Sequence, residues 1–401
     1  MSAPARTTRP SEIVDVFLVA GEESGDRLGA ALMRALRERT GGQVRFVGVG
    51  GREMAAEGVA SLYPIADLPI IGFSAIPRRL PKILRLMRLT VKAVVAKRPH
   101  VLVVIDSPGF TQGIARRVRA ADPTIAIVQY VSPSVWAWRP GRARAMRAYI
   151  DHVLALLPFE PAVHQRLGGP PCTYVGHPLV EQVRNLRPNF EEARRRLAAP
   201  PVLLVLPGSR AAEIERLFGV FSDAVAQVHD RLGSLEVVVA TVPHLVDPIR
   251  TAVARWPLRA RIVVESADKQ AAFRTATVAL AKSGTVTLEL ALAGVPMIAA
   301  YKVTALEYLA VGRGILKRLP SIILTNLLLG ENVVPELLQH NCTAEKLAAA
   351  LLPLFGDTPE RRRQVEAFSR LDAIMEVGSS VPAMRAADVV LAAARRAAPA
   401  R

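Results

Sequence analysis

The stretch Val101–Ile105 (VLVVI) contains five apolar residues in a row and no polar one. A strand with one wet face alternates apolar and polar side chains. A strand that is apolar throughout is buried on both faces, as in the centre of a parallel sheet. Parallel neighbours cannot be joined by a hairpin; they need crossovers, usually helices. Strand-like runs recur at Val14–Ala20, Val44–Val49, Thr124–Val131, His152–Leu157 and Thr173–Val175, with helix-like spacing between them, as in Arg27–Arg39. Val180–Pro200 is helical, Arg-rich and proline-bounded, and the alternation then restarts. Val202–Leu206, Leu235–Ala240, Arg261–Val264, Val278–Ala281, Met297–Ala300 and Ser321–Thr325 read as the second set of strands. Three helical stretches close the chain: Thr343–Leu354, Pro359–Ile374 and Val381–Ala398. The last is long enough to cross back over the first domain. The pattern predicts an α/β protein of two doubly wound domains with a cleft between them, over residues 13–180 and 181–401. Residues 1–12 read as a mobile tail.

Composition narrows the function. A chain of 401 residues, 51% hydrophobic, can bury two cores. Its net charge of +17, from 52 Lys+Arg against 35 Asp+Glu, favours an anionic partner. Aromatic residues are only 5%, and no basic run is interleaved with stacking rings, which argues against nucleic acid. Cys172 and Cys342 are too few for a disulfide framework or a Cys-rich zinc site. The seven His form no HExxH-like cluster, so no metal is expected. No run approaches the roughly 20 apolar residues of a membrane span. MSAPARTTRPSE lacks the apolar region of a signal peptide. The expectation is a cytosolic protein, attached to a membrane at most from that side.

The turns after the strands carry the candidate chemistry. Lys282-Ser283-Gly284 links Val278–Ala281 to a helix over Thr285–Ala293. Ser283 suits an N-cap, Gly284 lets the backbone approach a ligand, and a helix start suits a phosphate. Thr285 and Glu289 share one face, where a carboxylate can take both hydroxyls of a ribose. Pro207-Gly208-Ser209-Arg210 follows Val202–Leu206, with Arg210 as its cation and Ser209 as a neutral donor. Asp106 follows Val101–Ile105, at the edge where open α/β sheets bind ligands. It reads either as a general base or as the cap of the next helix. Gly48, Gly50 and Gly51 do not complete a dinucleotide fingerprint, because Glu53 takes the third glycine position. Trp136 and Trp138, beside Arg139, Arg142 and Arg144, line a pocket or form a packed loop. Arg78, Lys82, Arg85, Arg88 and Lys92 make one basic stripe on a helix, with Leu80, Ile83, Met87, Val91 and Val94 opposite and Pro81 in the first turn. That helix either covers the sheet or touches anionic lipid headgroups.

Taken together, these motifs resemble the lipid-A-disaccharide synthases, glycosyltransferases of the two-domain GT-B kind with two Rossmann-like domains. The likeness rests on GEESGD (Gly21–Asp26), FVGVGGREM (Phe46–Met54), IDSPGF (Ile105–Phe110), YVSPSVWAWR (Tyr130–Arg139), LPFE (Leu157–Glu160), YVGHPL (Tyr174–Leu179), LPGSRAAEI (Leu206–Ile214), SGTVTLE (Ser283–Glu289) and NLLLGENVVPELLQ (Asn326–Gln339). The chain departs from the usual pattern at Glu23, Gly109, Thr111, Lys282 and Thr325.

The resemblance implies transfer of a sugar from UDP-2,3-diacylglucosamine to the 6-hydroxyl of 2,3-diacylglucosamine 1-phosphate (lipid X). The products are a β(1→6) disaccharide 1-phosphate, the lipid A precursor, and UDP. Asp106 and Arg210 would be the catalytic pair. Ser209, Arg210, Ser283, Gly284, Thr285 and Glu289 would hold the donor. Glu23, Ser24, Asp26, Trp138 and Asn326 are the acceptor or sugar-binding candidates. The resemblance further implies no metal, a homodimer, and attachment to the cytoplasmic face of the inner membrane. Two alternatives stay open: another GT-B UDP-sugar enzyme, such as a lipid II-type transferase or an epimerase, or a non-catalytic basic binding protein. The lipid II-type enzyme carries a Gly-rich first turn where this chain has GEESGD.

Overall fold

A computed structural model describes residues 13–68, 76–304, 308, 319–378 and 381–397. The tail expected at residues 1–12 lies outside them. The chain forms two compact units: one runs to Pro178 and takes in the chain again from Gly378, and the other spans Leu179–Val377.

In the first unit, the strands are β1 (Val14–Ala20), β2 (Val44–Val49), β3 (Val101–Ile105), β4 (Ala126–Tyr130), β5 (His152–Ala155) and β6 (Cys172–Tyr174). The helices are α1 (Glu23–Thr40), α2 (Arg52–Ala56), α3 (Ile76–Lys97), α4 (Pro108–Ala121), α5 (Gly141–Met146) and α6 (Glu160–Arg166). The strands pair in parallel, in the order β2-β1-β3-β4-β5-β6. Every residue of β3 and β4 is buried, as expected for central strands. Helix α1 starts at Glu23, so the turn after β1 is shorter than GEESGD. Gly29 lets α1 lie close to α2 and to β3: a Cβ there would sit 2.5 Å from the Met54 sulfur and 3.2 Å from the Ile105 side chain. The closing helix Pro382–Ala397 joins this core through Ala386, Ala387, Val390 and Ala394, packed with Leu32, Leu36, Val128 and Tyr130.

In helix α3, two details differ from the sequence reading. Pro81 lies inside the helix rather than in its first turn. Leu80 is exposed, and Leu86 takes the buried position beside Met87 and Val94. The side chain of Arg78 falls outside the described residues, whereas Arg85, Arg88 and Lys92 are exposed. Lys82 is tied to Asp67, at 2.7 Å.

In the second unit, the strands are β7 (Val202–Leu206), β8 (Glu236–Ala240), β9 (Ala260–Val263), β10 (Val278–Lys282), β11 (Met297–Tyr301) and β12 (Glu336–Leu338). They too are parallel, in the order β12-β11-β10-β7-β8-β9. Helices α7 (Leu179–Leu186), α8 (Phe190–Leu197), α9 (Ala211–Leu232), α10 (Val246–Val253), α11 (Ser266–Thr275) and α12 (Val286–Leu292) belong to this unit. Read from β9, the order is that of a dinucleotide-binding sheet. The strand expected at Ser321–Thr325 is not formed. Ser321 instead donates to Glu336 and accepts from the Ile323 N–H, which turns the chain into a helix at Leu324–Leu329. The sixth strand is β12.

Candidate active site

The strand order reverses once in each sheet, and the catalytic and donor candidates lie at those two points. In the first unit the reversal falls between β1 and β3. An open α/β sheet has its ligand crevice there, outside the strand carboxyl ends. Gly21 follows β1 and Asp106 follows β3. The two turns interlock: a Cβ on Gly21 would lie 2.4 Å from that of Ser107. The Ser107 hydroxyl is 3.3 Å from Glu22 Oε1, as donor.

Asp106 and Ser107 both adopt left-handed backbone, with φ of 51° and 41°. Each such non-glycine residue costs about 1–3 kcal/mol unless its surroundings hold it. The Asp106 N–H donates to the Tyr130 carbonyl at 3.0 Å, and the Thr111 hydroxyl donates to the Asp106 carbonyl at 2.6 Å. The Ser107 N–H donates to Asp106 Oδ1 at 2.7 Å. The other oxygen, Oδ2, meets only the Ser24 hydroxyl among the described residues, at 3.5 Å. Asp106 does not cap α4; Ser107 is the N-cap residue. The half-exposed Asp106 carboxylate therefore has one oxygen fixed by its own turn and the other largely open. Beside it lies a pocket of about 190 Å³ bordered by Glu22, Leu68, Ile83 and Phe110.

The acceptor candidates separate. Glu23 and Ser24 are exposed at the start of α1. Asp26 is buried, and its carboxylate accepts from the N–H groups of Gly51, Glu53 and Met54 at 2.7, 2.8 and 3.1 Å. It anchors the start of α2 and has no face left for a sugar. Trp138 is half-buried under the Arg139 guanidinium, 5.0 Å from its ring centre. Trp136 packs edge-on against Phe159 at 5.7 Å. Beneath this loop the buried Ser132 hydroxyl pairs with His164 Nε2 at 2.9 Å. Burial pushes the neighbouring Glu160 carboxyl up to about 7, against the Leu157 N–H that donates to it.

In the second unit the reversal falls between β7 and β10. The turn Pro207–Arg210 follows β7, and Ser283–Thr285 follows β10. Helix α9 begins at the first of these and runs for 22 residues, so its positive end faces the reversal point. The Arg210 side chain is 70% exposed, and its one ion partner among the described residues is Glu213, at 3.6 Å. The guanidinium is therefore available to an anion. Glu213 is buried and accepts from the Ser209 N–H at 3.2 Å and the Lys282 ammonium at 2.9 Å. The Ser209 N–H is thus already engaged.

Ser283 is not an N-cap. Its N–H continues the sheet by donating to Ala300, and Thr285 is the N-cap residue of α12. The N–H groups of Gly284 and Thr285 have no partner among the described residues and remain for a ligand. Glu289, one turn into α12, is largely buried. That burial raises its carboxyl above the ordinary glutamate range, opposed by Lys269. Asn326 belongs to the scaffold: its amide donates to Val334 O and Glu336 Oε1 and accepts from the Val333 and Val334 N–H groups, all between 2.9 and 3.1 Å. Sequence reasoning missed Lys269 altogether. Glu213 likewise has no role in the sequence reading, and Lys282 enters it only as a turn residue and a departure from the usual pattern.

The profile of the family described as Lipid-A-disaccharide synthetase matches residues 16–388. The chain belongs to the lipid-A-disaccharide synthase family. It is 60% identical over 376 residues to the lipid-A-disaccharide synthase of Nitrobacter hamburgensis, covering 94% of each chain. It is 58% identical over 381 residues to that of Rhodopseudomonas palustris, covering 95% of this chain and 96% of the relative. Among solved structures, the glycotransferase of kitacinnamycin superposes with a TM-score of 0.61 at 16% identity, covering 96% of this chain and all of that one. At that identity the likeness establishes the fold alone. The family match is what makes this protein a glycosyltransferase of lipid A disaccharide synthesis. Among the described residues no helix is long and apolar enough to cross a membrane.

Proposed function

We propose that this member of the family transfers 2,3-diacylglucosamine from its UDP derivative to the 6-hydroxyl of 2,3-diacylglucosamine 1-phosphate, with inversion. The observation that carries this reading is the pair of turns at the β7/β10 reversal. An exposed Arg210 and two unengaged N–H groups stand there, with a buried carboxylate, Glu289, one turn further on. That sequence of groups matches diphosphate followed by ribose.

Inverting transfer needs a base for the acceptor hydroxyl and stabilisation of the leaving group. Asp106 Oδ2 takes the proton as the new bond forms. Charge grows on the departing UDP, and Arg210 holds it more tightly in the transition state than in the ground state. Because arginine supplies the charge, no metal is required. UDP leaves as an anion, so no protein acid is required either. Glu289 accepts from the ribose hydroxyls and fixes the nucleoside. The enzyme works at an anionic membrane surface on its cytoplasmic side, where the diacylated sugars reside.

A UDP-release assay with diacylated and non-acylated sugar pairs tests the reading. Release with the diacylated pair and none with the non-acylated pair is the expected result. Release without an acceptor, or equal release with both pairs, would overturn it.

A further inference from the structure

We infer that Lys282 is a second cation for the diphosphate of the bound nucleotide. Lys282 is the last residue of β10, at the reversal point, and its side chain is 17% exposed. Its ammonium lies 2.9 Å from Glu213 Oε1, the same oxygen that Arg210 approaches at 3.6 Å. The two cationic nitrogens are therefore at most about 6.5 Å apart, a separation that one diphosphate spans. The ammonium also lies 5.1 Å from the Tyr301 ring centre and 3.6 Å from the position a Cβ would take on Gly284. It thus sits between the turn after β7 and the turn after β10.

Charge favours the same assignment. Glu213 is one carboxylate serving two cations and the Ser209 N–H. The cluster keeps one net positive charge beside the start of a long helix, where an anion is stabilised. Glu213 lies against the Pro207–Arg210 turn; a Cβ on Gly208 would be 2.5 Å from its Oε2. Held by this fixed carboxylate, the lysine is ordered before ligand arrives, and less side-chain entropy is lost on binding. A plain structural tie between β10 and α9 would need the same ion pair but would not care about the ligand's phosphates.

The inference rests on the nucleotide site proposed above, and the experiment separates the two. UDP and uridine are titrated into the wild type and into Lys282→Ala, Lys282→Arg, Arg210→Ala and Glu289→Ala variants of the full chain. Lys282→Ala should weaken UDP about 10- to 100-fold, the range of one charge-assisted hydrogen bond, and leave uridine unchanged. Lys282→Arg should recover most of the loss, and a higher salt concentration should narrow the gap. UDP affinity within twofold of wild type, or an equal loss for UDP and uridine, would overturn the role of Lys282. Wild-type UDP affinity in both Arg210→Ala and Glu289→Ala would instead overturn the nucleotide site itself. If Lys282→Ala does not fold, Lys282→Gln, which can still donate to Glu213, is read by the same criteria.

Discussion

The hydroxyl of Ser24 lies 3.5 Å from Oδ2 of Asp106, the carboxylate oxygen that the Ser107 N–H leaves open. The contact is long, so Ser24 orients the oxygen without consuming it. In the mechanism proposed above, the acceptor hydroxyl takes its place.

Asp106→Asn should therefore lower turnover by about 10²–10⁴-fold, the usual worth of general-base assistance. Asparagine tolerates left-handed backbone and can keep the bond from the Ser107 N–H. Asp106 is not the cap of α4, so thermal stability should hardly change, and UDP affinity should match the wild type. Ser24→Ala should cost less than tenfold in rate. Near-normal turnover in Asp106→Asn would move the base elsewhere, with Glu22 and Glu23 next.

Glu289 gives a pH test with a definite sign. Burial favours the neutral form and raises the carboxyl, while Lys269 opposes this. In the ribose site proposed above, Glu289 binds as the carboxylate. Affinity should be full above the raised value and fall as pH drops through it. The midpoint should lie above the roughly 4.3 of an exposed glutamate. Uridine is the probe, because it has no phosphate to titrate. Glu289→Gln should bind uridine about tenfold more weakly at neutral pH and show no such midpoint. An unchanged profile in that variant would remove Glu289 from the ribose site.

The strand ends were legible because buried parallel strands announce themselves as unbroken apolar runs, and ligand-binding turns follow them. Val101–Ile105 located Asp106, and Val202–Leu206 located Arg210. Residues whose partners are distant in sequence were not legible. Asp26 looks like a site residue until the N–H groups of Gly51, Glu53 and Met54 occupy it. Asn326 is hidden by nearer partners, Val333, Val334 and Glu336, which a turn without a periodic pattern folds back onto it. Ser321–Thr325 reads as a strand because its centre is Ile-Ile-Leu; β12, only three residues long, has no period to detect. The +17 charge misleads in part, because some arginines are scaffold. Arg196 donates to the carbonyls of Phe273, Arg274, Ala293 and Gly294, and burial lowers it to about 10. Arg187 holds Asp372 in a similar tie.

Glu160 should make stability depend on pH near neutrality. Burial raises its carboxyl from 4.5 to about 7. Between those values the folded protein holds a proton that the unfolded chain has lost. Its contribution is full below the lower value, declines as pH rises, and is gone above the upper one. The size is about 3 kcal/mol. His164 and His177, both lowered by burial, the latter to about 4, act with the opposite sign. The comparison must therefore be with Glu160→Gln, which keeps an acceptor for the Leu157 N–H. The difference in melting temperature, wild type minus variant, should fall from pH 5 to pH 7.5. A difference independent of pH would show that Glu160 is ionised throughout.

The last test concerns helix α3. Its buried side, Leu86, Met87 and Val94, packs with Phe110, Ile114 and Val118. Its outer side combines Arg85, Arg88 and Lys92 with two exposed leucines, Leu80 at 45% and Leu89 at 46%. Apolar side chains among cations suit an interface where the charges meet lipid headgroups and the leucines enter the acyl boundary. The cations should not contribute equally. Lys82 is already neutralised by Asp67, so Lys82→Gln should change little. Arg85→Gln, Arg88→Gln and Lys92→Gln should each weaken sedimentation with phosphatidylserine vesicles about fivefold at low salt, and less at high salt. Leu80→Ser with Leu89→Ser should remove the part of the binding that salt does not screen. None of these variants should alter UDP affinity. If the triple glutamine variant sediments like the wild type, the outer face of α3 is solvent-facing cover and the membrane contact lies elsewhere.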